Sequence, residues 1–246
     1  MKERLDKLMV SRGYAPSRER AQALILAGRV LVNEQKIEKP GSPVAADAVF
    51  RLLGDDLRYV GRGGLKLEAA LAEWKIDLSG LFCADIGAST GGFTDCMLQH
   101  GAARVLAIDT GYGQIAQKLR DDPRVQLMER TNARHLAPDS LPPGITFAAM
   151  DVSFISATLV LPAVVAAARP ERMVVLAKPQ FEAGRQHIGK GGIVRSPEAQ
   201  RAAVERVRSC LMELGAGSIQ ERESPILGAE GNREFLLYAI WKATGA

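Results

Sequence analysis

The sequence predicts a doubly wound α/β domain that follows a small α+β unit. In the large part, short apolar runs typical of buried strands alternate with helical patterns, which favours a mostly parallel sheet covered on both faces. The sequence changes character near residue 54, where a short segment of helices and strands gives way to this alternation. We therefore predict a small domain at 1–54, a linker at 55–64 and a large domain at 65–246.

The small domain is predicted to be two helices followed by short strands. Leu5, Leu8 and Met9 share one face of a first helix. Ser17 is a candidate N-cap for a second helix, which would end at Gly28. Strands at 30–32 and 48–53 complete the unit.

The linker prediction rests on three glycines between residues 61 and 64, which leave the backbone free to vary. The helix after it carries Leu67, Ala70, Leu71 and Trp74 on one face. Strand candidates follow at 81–86, 105–109, 125–128, 145–150, 173–177 and 235–241. Helix candidates lie near 93–100, 113–121, 156–168 and 196–214. This order is typical of a Rossmann-like sheet.

Composition excludes several classes of protein. The three cysteines and three histidines are scattered among the 246 residues without metal-ligand spacing, so we expect no disulfide framework and no metal. The N-terminus lacks the apolar core of a signal peptide, and no apolar run approaches the roughly 20 residues that span a bilayer. We expect a cytoplasmic protein with no membrane partner. The net charge of +4 permits a polyanionic partner without requiring one.

A glycine-rich turn follows the first strand of the large domain, where doubly wound sheets bind nucleotides. Its spacing differs from the dinucleotide pattern, and Asp85 at its base would disfavour a pyrophosphate. The cationic S-adenosylmethionine suits a carboxylate there, because opposite charges attract. The candidate cofactor residues of this loop are Asp85, Gly87, Ala88, Ser89, Thr90, Gly91, Gly92 and Phe93.

Two residues after later strands are further candidates for cofactor contacts. Asp109 ends the second strand, where a carboxylate can accept hydrogen bonds from both ribose hydroxyls, although it could instead be a turn residue. Asn132 follows the third strand and could contact the adenine, although asparagine is common in loops.

Five motifs make a resemblance specific. They are Arg62-Gly-Gly-Leu-Lys66, the loop from Asp85 to Phe93, Asp151-Val-Ser-Phe154, Lys178-Pro-Gln-Phe-Glu182 and Gly231-Asn-Arg-Glu234. Together they resemble the hemolysin A (TlyA) family of rRNA 2′-O-methyltransferases. The resemblance implies an FtsJ-like methyltransferase domain, S-adenosylmethionine as cofactor, and ribosomal RNA or ribosomal subunits as partner, with a cytidine ribose as acceptor.

The same resemblance implies a Lys-Asp-Lys-Glu tetrad, formed here by Lys66, Asp151, Lys178 and Glu234. A sulfonium methyl is already activated, so the enzyme must align the reactants and remove a proton from a ribose hydroxyl. We predict that Lys178 is the base, that Lys66 assists it or stabilises the alkoxide, and that the carboxylates orient the lysines. Taken singly, each residue could be an ordinary loop or surface charge, and that interpretation is favoured for Lys66 and Glu234. Together with the glycine-rich loop, the four residues outweigh it.

The N-terminal segment resembles the RNA-binding domain of a small-subunit ribosomal protein and of pseudouridine synthases. The resemblance rests on Arg4-Leu-Asp6, Ser17-Arg-Glu-Arg-Ala21 and the run from Gly28 to Asn33. The candidate RNA contacts are Arg4, Lys7, Arg18, Arg20, Arg29 and, beyond this segment, Arg62. On charge alone, a solvated helix surface is an equal alternative.

The glycine-rich, basic segment 184–195 could close over RNA or could be a flexible surface connection. Two rival functions also stay open, a membrane-active hemolysin and a non-enzymatic ribosome-binding factor. The first lacks a membrane-inserting segment in the sequence, and the intact tetrad argues against the second.

Overall fold

The computed structural model of the chain describes residues 2–15, 17–53, 58–228 and 231–241. The chain divides into two units, Met1–Asp56 and Leu57–Ala246. None of the helices in the described part of the chain has the length and apolar character that a bilayer crossing requires. Within the same residues, no group of three His, Cys, Asp or Glu side chains is placed to hold a metal ion.

The small unit packs two helices against short strands around one apolar core. Its elements are β1 (Lys2–Arg4), α1 (Leu5–Ser11), α2 (Arg18–Leu26), β2 (Val30–Val32), β3 (Gln35–Lys36), β4 (Pro43–Ala45) and β5 (Phe50–Leu52). The Ser17 hydroxyl accepts the N–H of Arg20 at 3.2 Å, and Gly28 follows α2 with a φ of 65°. Both ends of α2 are therefore as the sequence predicts.

The large unit is a sheet with helices on both faces. Its elements are α3 (Gly63–Glu73), β6 (Phe82–Ile86), α4 (Gly92–Gln99), β7 (Arg104–Ile108), α5 (Gln117–Arg120), β8 (Val125–Met128), β9 (Ile145–Met150), α6 (Leu161–Ala168), β10 (Arg172–Ala177), α7 (Pro179–Glu182), α8 (Pro197–Glu213), β11 (Ser218–Glu223) and β12 (Phe235–Ile240). The strand order is β11-β12-β10-β9-β6-β7-β8. The predicted doubly wound α/β fold is confirmed.

Five adjacent strands of this sheet, from β10 to the edge strand β8, are parallel, and β12 runs antiparallel to both β10 and β11. Alternate residues enter different cores, because side chains along a strand point to opposite faces. Val105 and Ala107 join one core, and Leu106 and Ile108 join the other. The two cores hold the parallel strands rigidly, with their carboxyl ends at one edge.

In the large unit, two elements differ most from the sequence prediction. Strand β11 is not predicted, because Ile219 is its single apolar residue and the strand has no apolar pattern. It forms by pairing with β12. The helix expected near 113–121 is reduced to α5. Gly113 has a φ of 69° and Ala116 has an extended ψ of 139°, and neither conformation continues a right-handed helix.

The linker expected at 55–64 is packed structure from Arg58 onward, while residues 55–57 lie outside the described part of the chain. Tyr59 is buried in a core, and the N–H of Val60 donates to Asp95 Oδ2 at 2.8 Å. A Cβ on Gly64 would lie 2.3 Å from the Tyr59 ring. These glycines therefore allow close packing of α3 rather than flexibility.

Candidate active site

The candidate active site lies beyond the carboxyl ends of four parallel strands. Gly87 follows β6, Asp109 follows β7, Asp151 follows β9 and Lys178 follows β10. The register of β6 with its two neighbours brings the first three of these residues to the same level of the sheet. In doubly wound folds this edge is where ligands bind.

Two adjoining cavities open at this edge. The first cavity has a volume of about 320 Å³ and is lined by Gly87, Ser89, Ile108, Asp109, Thr110, Gln114, Thr131, Asn132, Ala133, Asp151, Val152, Ser153, Phe154, Ile155 and Val160. The second cavity has a volume of about 190 Å³ and is lined by Gly61, Arg62, Gly63, Gly87, Ala88, Ser89, Thr90, Gly92, Phe93, Asp151, Ser153 and Lys178. They share Gly87, Ser89, Asp151 and Ser153, so two ligands could meet at these residues.

The glycine-rich loop reaches the cavities because two of its residues have conformations that favour glycine. Gly87 has a φ of 87°, and a Cβ there would lie 2.6 Å from the carbonyl oxygen of Asp151. Gly91 has a φ of 95°, and a Cβ there would lie 2.3 Å from Leu119 Cδ1. Gly91 lines neither cavity, so it supports the loop instead of contacting a ligand in them.

Asp85 is fully buried and lines neither cavity, which corrects the expectation that it meets the cofactor directly. Its Oδ2 accepts the N–H of Thr94 at 2.8 Å and the hydroxyl of Thr94 at 2.6 Å. Burial raises the pKa of Asp85 to about 7, against the lowering effect of the Thr94 hydrogen bonds. The carboxyl fastens α4 to the end of β6, because the strand directs its side chain into the interior.

Asp109 and Asn132 both line the first cavity, as expected of cofactor contacts. Asp109 Oδ2 accepts the N–H of Ser89 at 2.8 Å, and its Oδ1 accepts the N–H of Gly111 at 2.6 Å. The Asn132 side chain accepts the N–H of Arg134 at 3.1 Å, and the residue caps a short 3-10 turn. Backbone groups therefore fix both side chains at the cavity wall.

The four candidate catalytic residues form two ion pairs. Lys66 Nζ lies 2.5 Å from Glu234 Oε2, and both side chains are buried. Lys178 Nζ lies 2.6 Å from Asp151 Oδ1, but that oxygen has no aligned hydrogen bond. The contact between Lys178 and Asp151 is therefore a charge pair without an aligned hydrogen bond. The aligned hydrogen bond of Lys178 goes to Ser153 Oγ, at 2.7 Å.

Strand register explains why residues so distant in sequence meet. Ala177 of β10 pairs with Phe235 of β12, so the next position outward places Lys178 opposite Glu234. A Cβ on Gly63, in the first turn of α3, would lie 3.7 Å from Asp151 Oδ2, which brings the start of that helix to the same edge. Two of the four candidate catalytic residues thus follow parallel strands, while the other two come from helix α3 and from the residue before the antiparallel strand β12.

Ser153 and Phe154 are site residues that the sequence analysis did not assign. Ser153 lines both cavities and accepts the hydrogen bond of Lys178. Phe154 is 90% exposed, lines the first cavity and has a φ of 63°. The signal in the sequence is an aromatic residue three positions after Asp151, in the loop that follows a strand, since an exposed aromatic ring in a loop indicates a contact surface.

Arg62 lines the second cavity and is exposed, with no ion-pair partner among the described residues. In the small unit, Arg4 and Arg18 both donate to the buried Asp6, Arg18 through Nε at 2.9 Å. The Arg4 guanidinium lowers the pKa of Asp6 well below its usual range. A buried acid thus fixes two of the predicted RNA-contacting arginines, and the sequence gives no sign of it.

The other predicted RNA contacts of the small unit differ in their surroundings. Lys7 is exposed and has no ion-pair partner in the described part of the chain. Arg20 and Arg29 are half-buried and do interact with other groups, and Arg29 Nε donates to the carbonyl of Leu53 at 2.8 Å. Lys7 is therefore the most accessible of these candidate cations.

The segment 184–195 contains two 3-10 turns, Arg185–His187 and Lys190–Gly192. Its end is fastened by the buried Asn232, which donates to the carbonyl of Gly192 at 2.9 Å and accepts the N–H of Val194 at 3.0 Å. Asn232 precedes Glu234 by two residues. Asn232 therefore ties the end of this segment to the residues just before β12, where Glu234 lies opposite Lys178.

Known protein families and individual proteins match nearly the whole chain. The chain matches FtsJ-like methyltransferases over residues 59–240 and the S4 domain over residues 3–50. It is 43% identical to the Mycobacterium tuberculosis protein named 16S/23S rRNA (cytidine-2′-O)-methyltransferase TlyA, covering 96% of this chain and 88% of that one. It is 40% identical to Hemolysin A of Brachyspira hyodysenteriae, covering 96% of this chain and 99% of that one.

A solved structure shares both the sequence and the fold. It is a Streptococcus thermophilus protein described as a hemolysin, with a TM-score of 0.75 and 42% identity, and the match covers 98% of this chain and 89% of that one.

Proposed function

Because the chain belongs to the FtsJ-like methyltransferases, in the S4-containing TlyA and hemolysin A family, we propose that it methylates a ribose 2′-hydroxyl in ribosomal RNA. The acceptor we propose is a cytidine, and the methyl donor is S-adenosylmethionine. The observation that carries the proposal is the Lys178–Asp151 pair in the wall of the second cavity, directly beside the glycine-rich loop. A ribosomal substrate would place the enzyme in the cytoplasm.

The first cavity fits the cofactor in size and chemistry. Its volume of about 320 Å³ falls in the range of roughly 300–1,000 Å³ typical of small-molecule sites. Asp109 would hold the ribose hydroxyls, Asn132 would lie at the adenine, and the backbone after Gly87 would approach the amino-acid end. S-adenosylmethionine bound there supplies a methyl group that its sulfonium charge already activates.

Lys178 is the residue we assign to remove the proton from the acceptor hydroxyl. In its neutral form the amine would accept the 2′-hydroxyl proton and become an ammonium as the oxygen attacks the methyl group. Asp151 lies 2.6 Å away and stabilises that ammonium by its charge, while Ser153 holds Nζ in place by a hydrogen bond. Lys66, paired with the Glu234 that lies opposite Lys178, would add positive charge to the site from behind Lys178 without contacting the acceptor.

Two features would position the RNA. Arg62 lies at the second cavity with its guanidinium free for a phosphate, since arginine suits phosphate geometry. Phe154 presents an exposed ring at the rim of the first cavity, and single-stranded bases stack on such rings with about 1–3 kcal/mol each. The S4 unit would add contacts through its basic residues, above all the exposed Lys7.

The decisive experiment is transfer of a radiolabelled methyl group to separated small and large ribosomal subunits from cells that lack the enzyme. We expect label in ribosomal RNA, and nuclease digestion with mass spectrometry should recover 2′-O-methylcytidine. Label on a base, on another nucleoside or on protein would contradict the proposed acceptor. Binding to subunits without any transfer would leave the ribosome-binding factor as the better description.

A further inference from the structure

Glu182 has a buried carboxylate that the proposed reaction does not use. It is the last residue of α7, four residues after Lys178, and its side chain is 3% exposed. Burial raises its pKa, and hydrogen bonds from Ser156 and Ala157 act in the opposite direction. A buried carboxylate is costly unless it is hydrogen-bonded, so its partners indicate what it does.

Both partners of Glu182 lie at the end of the loop that starts at Asp151. Glu182 Oε2 accepts the hydroxyl of Ser156 at 2.5 Å, and Oε1 accepts the N–H of Ala157 at 2.6 Å. At the other end of the loop, Lys178 contacts Asp151 at 2.6 Å and Ser153 at 2.7 Å. Two charged residues of one short segment thus hold both ends of the loop 151–157.

The part of the loop between these two anchors is strained and exposed. Phe154 has a φ of 63°, a left-handed conformation that costs a non-glycine residue roughly 1–2 kcal/mol. Among the described residues, its ring has one aromatic neighbour, Phe181, with the ring centroids 5.5 Å apart. Such a conformation persists only where the surroundings determine it, and Glu182 provides the anchor on the C-terminal side.

The segment that carries Glu182 is itself held in place. The carbonyl of Glu182 accepts a hydrogen bond from the guanidinium of Arg206 in α8. Helix α8 packs against α7, which gives the anchor a rigid base. The carboxylate can therefore fix the loop instead of following it.

We propose that Glu182 is a positioning residue, whose carboxylate holds the loop 151–157 so that Phe154 and Ser153 face the RNA acceptor. This inference rests on the proposed function, since the loop matters for the RNA only if the chain methylates RNA. Glu182 touches neither cavity and acts through the loop. Its effect should be larger on RNA use than on cofactor binding, because the loop forms only part of the wall of the first cavity.

The test compares Glu182→Ala with Glu182→Gln in the full-length protein. We expect Glu182→Ala to lower kcat/KM for ribosomal subunits by about tenfold or more, because small displacements of positioning groups are costly. The Kd for S-adenosylmethionine, measured calorimetrically without RNA, should change by a smaller factor, because Asp109 and Asn132 of the same cavity do not depend on Glu182. Glu182→Gln should restore most activity, because its amide oxygen can accept the N–H of Ala157 and its amide N–H₂ can donate to Ser156.

Hydrogen exchange measures the loop independently of activity. The amide of Ala157 should exchange faster in Glu182→Ala than in the wild type, and at the wild-type rate in Glu182→Gln. Glu198→Ala is the matched control, because this exposed carboxylate also accepts a serine hydroxyl, that of Ser196 at 2.7 Å, but lines neither cavity. It should change neither the exchange of Ala157 nor methylation.

Several outcomes would overturn the inference. They are unchanged exchange and activity in Glu182→Ala, an equal loss in Glu182→Gln, or a Kd for S-adenosylmethionine that is weakened by as large a factor as kcat/KM for the subunits is lowered. If Glu182→Ala fails to fold, Ser156→Ala removes one hydroxyl of the same contact and should show the same pattern in weaker form. A wild-type protein that methylates no RNA would refute the proposed function instead, and the exchange experiment would still test the anchor.

Discussion

At the residue scale, the two lysines of the site differ in their surroundings. Lys66 is paired with the buried Glu234 and lines neither cavity, whereas Lys178 lines the second cavity and is held by Asp151 and Ser153. A base must reach the proton that it removes, so accessibility favours Lys178 for this role. The assignment of each lysine to its role is a prediction that mutation can separate.

Replacing Lys178 with alanine should lower kcat by about 100-fold to 10,000-fold, the usual contribution of a general base. The Kd for S-adenosylmethionine should stay measurable, because Asp109 and Asn132 are untouched. Single-turnover methyl transfer with titration of the cofactor separates the two effects. Lys118→Ala is the control, since this lysine pairs with Asp95 away from both cavities. Substantial turnover in Lys178→Ala would remove Lys178 from the role of base.

Asp85 should make the stability of the large unit depend on pH. Its pKa is raised from 3.8 to about 7 in the folded chain, chiefly by burial, so the folded state binds its proton more tightly than the unfolded state. Stability from this group is therefore present at low pH and is lost as the pH rises from about 4 to 7, by at most about 1.4 kcal/mol per pH unit. Asp85→Asn should remove that slope.

Urea unfolding of wild type and Asp85→Asn at pH 5 and at pH 7.5 checks this. The exposed Asp77 is the control, because hydrogen bonds from Ser79 lower its pKa and its effect has the opposite sign. Because a lowered pKa keeps the Asp77 carboxylate ionised in both states above pH 5, Asp77→Asn should run parallel to wild type between pH 5 and pH 7.5. Parallel pH profiles for wild type and Asp85→Asn would contradict the role of burial at Asp85.

At the element scale, the loop between β6 and α4 carries the main local constraint of the site. The loop lies against the end of β9, where Gly87 leaves no room for a side chain beside the Asp151 carbonyl. The same contact fixes the first residue after β9. The position of the glycine-rich loop and that of Asp151 are therefore coupled.

Gly87→Ala should weaken S-adenosylmethionine binding by about tenfold or more and destabilise the large unit, since it adds a clash to the roughly 1–2 kcal/mol of left-handed strain. Gly113→Ala is a matched control. Gly113 also has a positive φ, of 69°, but a Cβ there meets nothing within 4 Å. Gly113→Ala should therefore cost stability through left-handed strain alone, and its affinity for S-adenosylmethionine should stay near that of wild type. Calorimetric Kd values and thermal unfolding compare the two, and equal effects would refute the clash.

At the scale of the whole molecule, each unit offers an accessible cation to RNA. Lys7 belongs to the S4 unit and Arg62 to the methyltransferase unit, and both are exposed without ion-pair partners in the described residues. Each phosphate contact contributes about 0.7–0.9 to the dependence of log affinity on log salt concentration. The salt dependence of RNA affinity therefore reports the number of phosphate contacts without a structure of the complex.

Lys7→Ala and Arg62→Ala should each reduce the salt slope of ribosomal-subunit binding by roughly 0.7–0.9, and the double variant by about twice that. Filter binding between 50 and about 200 mM salt measures the slopes. Lys118→Ala should leave the slope unchanged, because Asp95 already neutralises that lysine. A double variant no different from either single variant would contradict simultaneous contact by both units.

The fold class and the division into two units follow from the sequence alone, and the residue types of the site are predicted from it. Strand and helix alternation and the glycine spacing are local patterns, and local patterns can be read along a chain. The helix α2 shows this at both ends, at Ser17 and at Gly28. Resemblance to a known family then named the reaction, which periodicity alone does not.

Which charged side chains form pairs depends on the tertiary structure. Lys66 and Glu234 are 168 residues apart and meet because helix α3 packs against β12, a contact that no local pattern encodes. The same reason accounts for the burial of Asp85, the packing of residues 58–64 and the anchoring of the loop 151–157 by Glu182. Each depends on the space left by segments distant in sequence, and that space exists only after the chain has folded.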